Sequence, residues 1–167
     1  MFITQQVLCS LLLYESDTGV FRWLAKRAPD IRAGDVAGTT RSDGYLAIRV
    51  QGRKYQSHRL AWLYMYGEFP LAQIDHINGI KGDNRIANLR LATNAENCRN
   101  RGPRSDSKSG LRGVSFDIES GKWRATASDG KRYISIGRFS TSVEAKAAYD
   151  KFTSKHHGEF KYQGVST

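Results

Sequence analysis

The sequence predicts an α+β chain in two parts: an N-terminal region of small β-hairpin and helix elements that ends in a compact ββα unit, then a three-stranded antiparallel sheet with one helix. Three observations carry that prediction. Short alternating runs are joined by tight-turn residues, above all Gln51-Gly52, Glu119-Ser120-Gly121 and Asp129-Gly130. Residues 73–101 read as strand, loop, strand and helix in quick succession. Thr141 or Ser142, followed by Glu144, has the signature of a capping box opening a helix to about His156.

The elements follow in order. Val7, Leu8, Leu11, Leu12 and Leu13 cluster as on one face of a short amphipathic helix within residues 1–14. Asp17-Thr18-Gly19 is turn chemistry ahead of a strand over 20–23, and 25–44 is mostly loop. A hairpin over 45–50 and 53–57 puts Leu46, Ile48 and Val50 on one face and Arg49 opposite Lys54. Facing like charges are unfavourable without a counter-anion. A phosphate backbone supplies one; two side chains fanning into water are the equal alternative.

Residues 58–66 form a helix with Leu60, Leu63 and Met65 among its apolar positions, stopped by Gly67 and Pro70. Extended pieces over 73–77 and 88–91 then flank a Gly/Asn/Asp loop over 78–84, and a helix starts near Thr93 or Asn94. Residues 99–110 have the Ser/Gly/Arg composition of a basic tether. The boundaries read 1–101 (ββα core about 73–101), 102–109 for the linker and 110–163 for the last part. There, strands over 113–117, 122–128 and 132–139 precede the helix, whose apolar stripe is Val143, Ala147, Ala148 and Phe152.

Composition narrows the function. The 167 residues are 40% hydrophobic and 25% charged, which is globular rather than disordered. Lys+Arg 26 against Asp+Glu 16 gives a formal charge of +10, spread along the chain, so the whole length suits a polyanion. Two cysteines, Cys9 and Cys98, exclude a disulfide scaffold and a CxxC zinc site, leaving oxygen or imidazole to hold any metal. The longest apolar runs fall short of the roughly 20 residues of a membrane span. The expectation is a cytoplasmic protein with no membrane partner.

The chemistry concentrates at Asp75 and His76, adjacent on a strand, and at Asn97, about one turn into the following helix. Carboxylate and amide oxygens suit Mg²⁺, and an imidazole titrates near working pH, as a general base on water requires. The loop is not an EF-hand, because counting from Asp75 places Ile77 and Ile86 where acids or amides are needed. Nor does any His pair stand at helical spacing with a Glu, as in zincins.

Asp75-His76, Asn88 and Asn97, with the upstream HRLAW (58–62) and GEFP (67–70), resemble the HNH homing endonucleases of the phage type over roughly residues 17–101. The resemblance implies a ββα-metal fold holding one divalent ion, Mg²⁺ or Mn²⁺, against the scissile phosphate. It implies His76 as the base, Asp75 and Asn97 as metal ligands, and Asn88 as the brace of the hairpin that orients the His76 ring. Asn97 stands where the family's letters have a second histidine.

RGVSFD (112–117), GKWRATAS (121–128), ISIGRF (134–139), EAKAAYD (144–150) and HGEF (157–160) resemble an AP2/ERF DNA-binding domain. That resemblance implies a sheet in the major groove with a helix behind it. Trp123, Ala125, Ala127, Ile134 and Ile136 then face the helix. Lys122, Arg124, Thr126, Ser128, Tyr133 and Ser135 face DNA, with Arg112 and Ser115 at the first strand, and Asp117 where a base would help. Arg49, Lys54, Arg99, Arg101, Arg104 and Lys108 are the expected phosphate contacts elsewhere.

The function expected is a metal-dependent endonuclease hydrolysing phosphodiester bonds in double-stranded DNA, by a nick or a double-strand break; a single site in a monomer on DNA predicts a nick, while cutting both strands requires a dimer or a second binding event. The alternative is a non-catalytic AP2-type regulator with a decayed HNH part. His58 is read as capping and packing the helix it opens, with a place near the chemistry as the alternative. His156 and His157 are read as structural, at a helix end where positive charge suits the dipole, and Cys98 as a packed or solvated thiol.

Overall fold

The computed structural model describes residues 3–103, 106–128 and 132–162, and its contacts divide the chain into two units, Met1–Thr93 and Asn94–Gly164. Arg104 and the Asp129-Gly130 turn lie outside the described residues.

In the first unit the Thr4 hydroxyl accepts the Val7 N–H and starts α1 (Gln5–Leu11). The helix ends sooner than the sequence suggests. Leu12 and Tyr14 are buried while Leu13 is exposed, a period of two that makes this stretch β1 (Leu12–Glu15), paired antiparallel with β2 (Val20–Trp23).

A second sheet has the order β3-β4-β5, from β3 (Thr39–Thr40), β4 (Leu46–Val50) and β5 (Arg53–Gln56). Gln51 and Gly52 both adopt positive φ, 48° and 79°, which a two-residue hairpin turn of this hand needs. Arg49 pairs opposite Lys54 as expected, and its guanidinium donates to Gly52 O at 2.9 Å.

In α2 (Ser57–Tyr66) Leu60, Ala61 and Leu63 turn inward, and Gly67 closes the helix with φ 86°. Met65 is a correction: it is exposed, a position away from the buried face. Leu8, Leu12, Phe21, Ile48, Val50 and Leu60 close a core among α1, α2 and the two sheets. Against it stands the hairpin of β6 (Gln73–His76) and β7 (Leu89–Ala92), with Asp75 opposite Arg90 and His76 opposite Leu89.

The second unit contains α3 (Asn94–Arg99), then β8 (Val114–Asp117), β9 (Lys122–Ser128) and β10 (Tyr133–Phe139) in a sheet with β9 central, then α4 (Ser142–His156). Thr141 and Glu144 complete the expected capping box. The face α4 buries differs from the expected stripe: Ala145, Tyr149 and Thr153 are inside with Phe152 beside them, while Ala147 is exposed and Val143 is 75% exposed. A tyrosine carries enough apolar area to set the phase of a helix. A bulge between Ser135 and Gly137 shifts the register and brings Arg138 opposite Arg124. Among the described residues no helix is long and apolar enough to cross a membrane.

Candidate active site

Alternation along β6 sends Asp75 and His76 to opposite faces, yet both are buried. Asp75 lies against its cross-strand neighbour: Arg90 Nε donates to Asp75 Oδ2 at 2.9 Å, and Nη2 is 2.8 Å from the same oxygen. His76 lies among rings, 5.1 Å from the His58 centroid and 5.9 Å from that of Tyr45. Lys81 Nζ sits 5.1 Å over the Tyr45 ring and donates to Asp43 O.

The tautomer of His76 follows from its neighbour. Asn84, 1% exposed, donates through Nδ2 to Gly82 O at 3.2 Å, which fixes Oδ1 toward the imidazole. Oδ1 lies 3.2 Å from His76 Nε2 and is purely an acceptor, so Nε2 carries the proton and Nδ1 the lone pair. Burial is the main effect lowering the His76 pKa, against the opposing hydrogen bond to Asn84 and the charge of Asp75. Burial, with His76 and Arg59 adding, pushes His58 down to about 3. Burial thus favours the neutral form of both imidazoles, which meet edge to face at an interplanar angle of 89°, and His58 Nδ1 has no hydrogen-bond partner among the described residues.

The loop between the strands is tied from within. Asn88 Oδ1 accepts the Asn78 N–H at 3.0 Å and Nδ2 donates to Asp83 O at 2.8 Å. Asp83 accepts from Asn78 and Arg85, and the Arg85 hydrogen bond leads in holding its carboxyl at about 2. Asn88 thus ties the loop at two points, and Asn84, a residue the sequence left as loop, places its Oδ1 3.2 Å from His76 Nε2. From behind, Tyr14 Oη donates to Asn84 O at 2.7 Å and Ile86 N–H donates to Ser16 O. Gly19, at φ 74°, packs so closely that a Cβ there would collide with the Asn84-Arg85 backbone. The Asp17-Thr18-Gly19 turn is therefore a buttress of the site as well as a hairpin end.

His58 stands beside His76 and caps nothing, since α2 starts without a side-chain cap. Asn97 lies on α3, in the second unit, half-buried. Among the described residues no three His, Cys, Asp or Glu gather as a metal cluster. The donor type on offer, a buried carboxylate held in one place, fits a hard ion such as Mg²⁺ or Mn²⁺ that keeps most of its water.

On the second unit's sheet, Lys122, Arg124, Tyr133, Ser135 and Ser115 are exposed on the outward face, with Thr126 and Ser128 half-buried there. Arg138 joins them, but its Nε donates to Asp117 Oδ2 at 2.9 Å, which holds the Asp117 carboxyl below its ordinary range. Arg112 departs from the expected role. Its Nε donates to Tyr149 Oη, Nη1 to Gly102 O and Nη2 to Cys98 O, so it ties the tether and α3 to α4. Arg49, Lys54 and Arg101 are exposed and Arg99 half-buried. His157 is structural for another reason than the dipole: it is buried, its pKa is lowered by that burial, and its Nε2 is 2.8 Å from Ser128 O.

Comparisons with known proteins fall on the same two regions. Residues 55–99 match the HNH endonuclease family and residues 109–159 match the AP2 domain family. Comparison with curated proteins gives no match. A solved structure described as "DNA binding and cleavage by the HNH homing endonuclease I-HmuI" is similar at 24% identity and a TM-score of 0.40, over 54% of this chain and 51% of that one. This chain thus spans about half the length of that relative. The chain thus carries one segment that matches the HNH endonuclease family, followed by one that matches the AP2 domain family.

Proposed function

We propose that the protein is a metal-dependent endonuclease that hydrolyses phosphodiester bonds in double-stranded DNA, with His76 as general base. The observation that carries this reading is the buried imidazole whose Nε2 lies 3.2 Å from Asn84 Oδ1 and whose pKa burial lowers, which suits it to accept a proton from water at neutral pH. As Nδ1 takes that proton, Asn84 Oδ1 keeps the ring in place and stabilises the imidazolium that forms. Asp75 holds the ion, with Asn97 as the second ligand the family resemblance implies. Bound there, Mg²⁺ or Mn²⁺ supplies Lewis-acid stabilisation of the charge on the phosphate and the leaving 3′ oxygen. Asn88 keeps the loop closed around these groups.

Lys122, Arg124, Thr126, Ser128, Tyr133 and Ser135 bind the duplex from the sheet, and Arg49, Lys54, Arg99 and Arg101 add phosphate contacts. One such site in a monomer makes a nick. The reading places this work in the cytoplasm of a phage-infected bacterium, as the resemblance implies.

The test is conversion of supercoiled plasmid or phage genomic DNA by wild type and His76→Ala, each with Mg²⁺ and with EDTA. Nicked product from wild type with metal alone supports the assignment. Binding without cleavage in all four reactions overturns it in favour of a non-catalytic regulator.

A further inference from the structure

Asp75 is not presented to solvent as a bare carboxylate. It and Arg90 are cross-strand partners with side chains 5% and 14% exposed, and Arg90 brings both Nε and Nη2 within 2.9 Å of one oxygen. A guanidinium at that distance, in a poorly solvated place, cancels much of the attraction the carboxylate has for a cation. Lys81 adds a positive charge over the Tyr45 ring beside His76, and Asp83 is paired with Arg85. Mg²⁺-type ions give up water reluctantly and are held by one or two carboxylates together with substrate phosphates.

We propose that Arg90, by its ion pair with Asp75, keeps the divalent-ion affinity of the DNA-free protein low, so that a DNA phosphate supplies a further anion and metal and duplex bind cooperatively. The inference rests on Asp75 being a metal ligand. Coupling of this kind is reciprocal: whatever factor DNA adds to metal affinity, the metal adds to DNA affinity. Its use is economy of cutting, since an ion settles only where a phosphate is already in place.

The experiment titrates Mn²⁺ alone into the full chain, following free Mn²⁺ by electron paramagnetic resonance, for wild type, Arg90→Gln, Arg90→Lys and Asp75→Asn. The Gln amide keeps a donor for Asp75 Oδ2 while removing the charge. The expected result is binding about tenfold tighter in Arg90→Gln, binding close to wild type in Arg90→Lys, and loss of binding in Asp75→Asn. If Asp75→Asn loses Mn²⁺ while Arg90→Gln matches wild type or binds more weakly, the Arg90 inference falls and the metal site stands. If Asp75→Asn binds like wild type, both fall. Should Arg90→Gln fail to fold by thermal melt, the His76→Ala protein decides. Its Mn²⁺ affinity must rise about tenfold when saturated with a mixed-sequence duplex, and no rise overturns the coupling.

Discussion

Both units bury polar side chains, Asn100, Thr153 and His157 among them in the second, but the two differ in the core those side chains accompany. The first buries Ser57, His58, Asp75, His76, Asn84 and Asn88 beneath and beside a core of large residues such as Phe21, Leu8, Leu12 and Leu60. The second keeps a thin core of Val114, Ala125, Ala127, Ala145 and Tyr149 and turns Lys122, Arg124, Tyr133 and Ser135 outward. Buried polar groups are costly unless each has a partner, so they persist where fixed geometry is needed, as for a base with one defined lone pair. A surface that meets a phosphate backbone needs charge and reach more than exact placement. The proposed function places proton transfer in the first unit and duplex holding on the second.

The largest expected effect lies in the first unit. His76→Ala should lower cleavage by about 10²–10⁴-fold, the range for loss of a general base, while DNA affinity stays near wild type. An equal fall in affinity would blur the division between the units. Next comes the core. Leu60→Ala should cost about 2–5 kcal/mol by denaturant unfolding, because the side chain is wholly buried among its neighbours. In the second unit the counterpart is Gly113→Ala: the glycine has φ 71°, and its Cβ would meet the Tyr149 ring, so it should lower the melting temperature through that unit's thin core.

A smaller effect concerns placement. Asn84→Leu and Gly19→Ala should each slow cleavage by about tenfold, a loss expected when a base is misplaced rather than removed. Ring-nitrogen NMR of His76 should show the single Nε2–H tautomer give way to a mixture in Asn84→Leu; an unchanged spectrum would contradict the account of Asn84.

The acid response tests the burial of His58 in the first unit. The folded pKa of His58, about 3, lies below the usual value near 6.5 of the unfolded chain. The unfolded state therefore binds more protons between these values, and this stabilisation is present above about pH 6.5 and lost progressively as pH falls toward 3. Melts from pH 7.5 to 4 should fall less steeply for His58→Gln than for wild type, and parallel slopes would refute a buried neutral His58. The smallest effect belongs to the sheet: Lys122→Ala and Arg124→Ala should each reduce the salt dependence of binding by about one phosphate contact.

Much of this was legible in the sequence because local rules agreed with tertiary demands. The Gln51-Gly52 hairpin, the Thr141 capping box and the parity of β9 each depend on residues close in the chain. What escaped depended on distant packing. Nothing in the letters around Asn84 distinguishes it from Asn78 in the same loop; its burial comes from Tyr14 and Gly19, far back in the chain. Arg112 reads as a surface cation until Tyr149 and the Cys98 and Gly102 carbonyls gather round it. The phase of α4 was set by Tyr149, whose polar hydroxyl hid its apolar ring from a count of aliphatic positions.

The measurement that bears most directly on the division between the units is the single-turnover cleavage rate of preformed protein–DNA complex at saturating protein, compared for His76→Ala and for the Lys122→Ala/Arg124→Ala double variant. The account predicts that His76→Ala abolishes the rate in a complex that still forms, while the sheet variant needs more protein to saturate and then cuts at the wild-type rate. A sheet variant that saturates normally but fails to cut, or a His76→Ala complex that cuts at full speed, would contradict it.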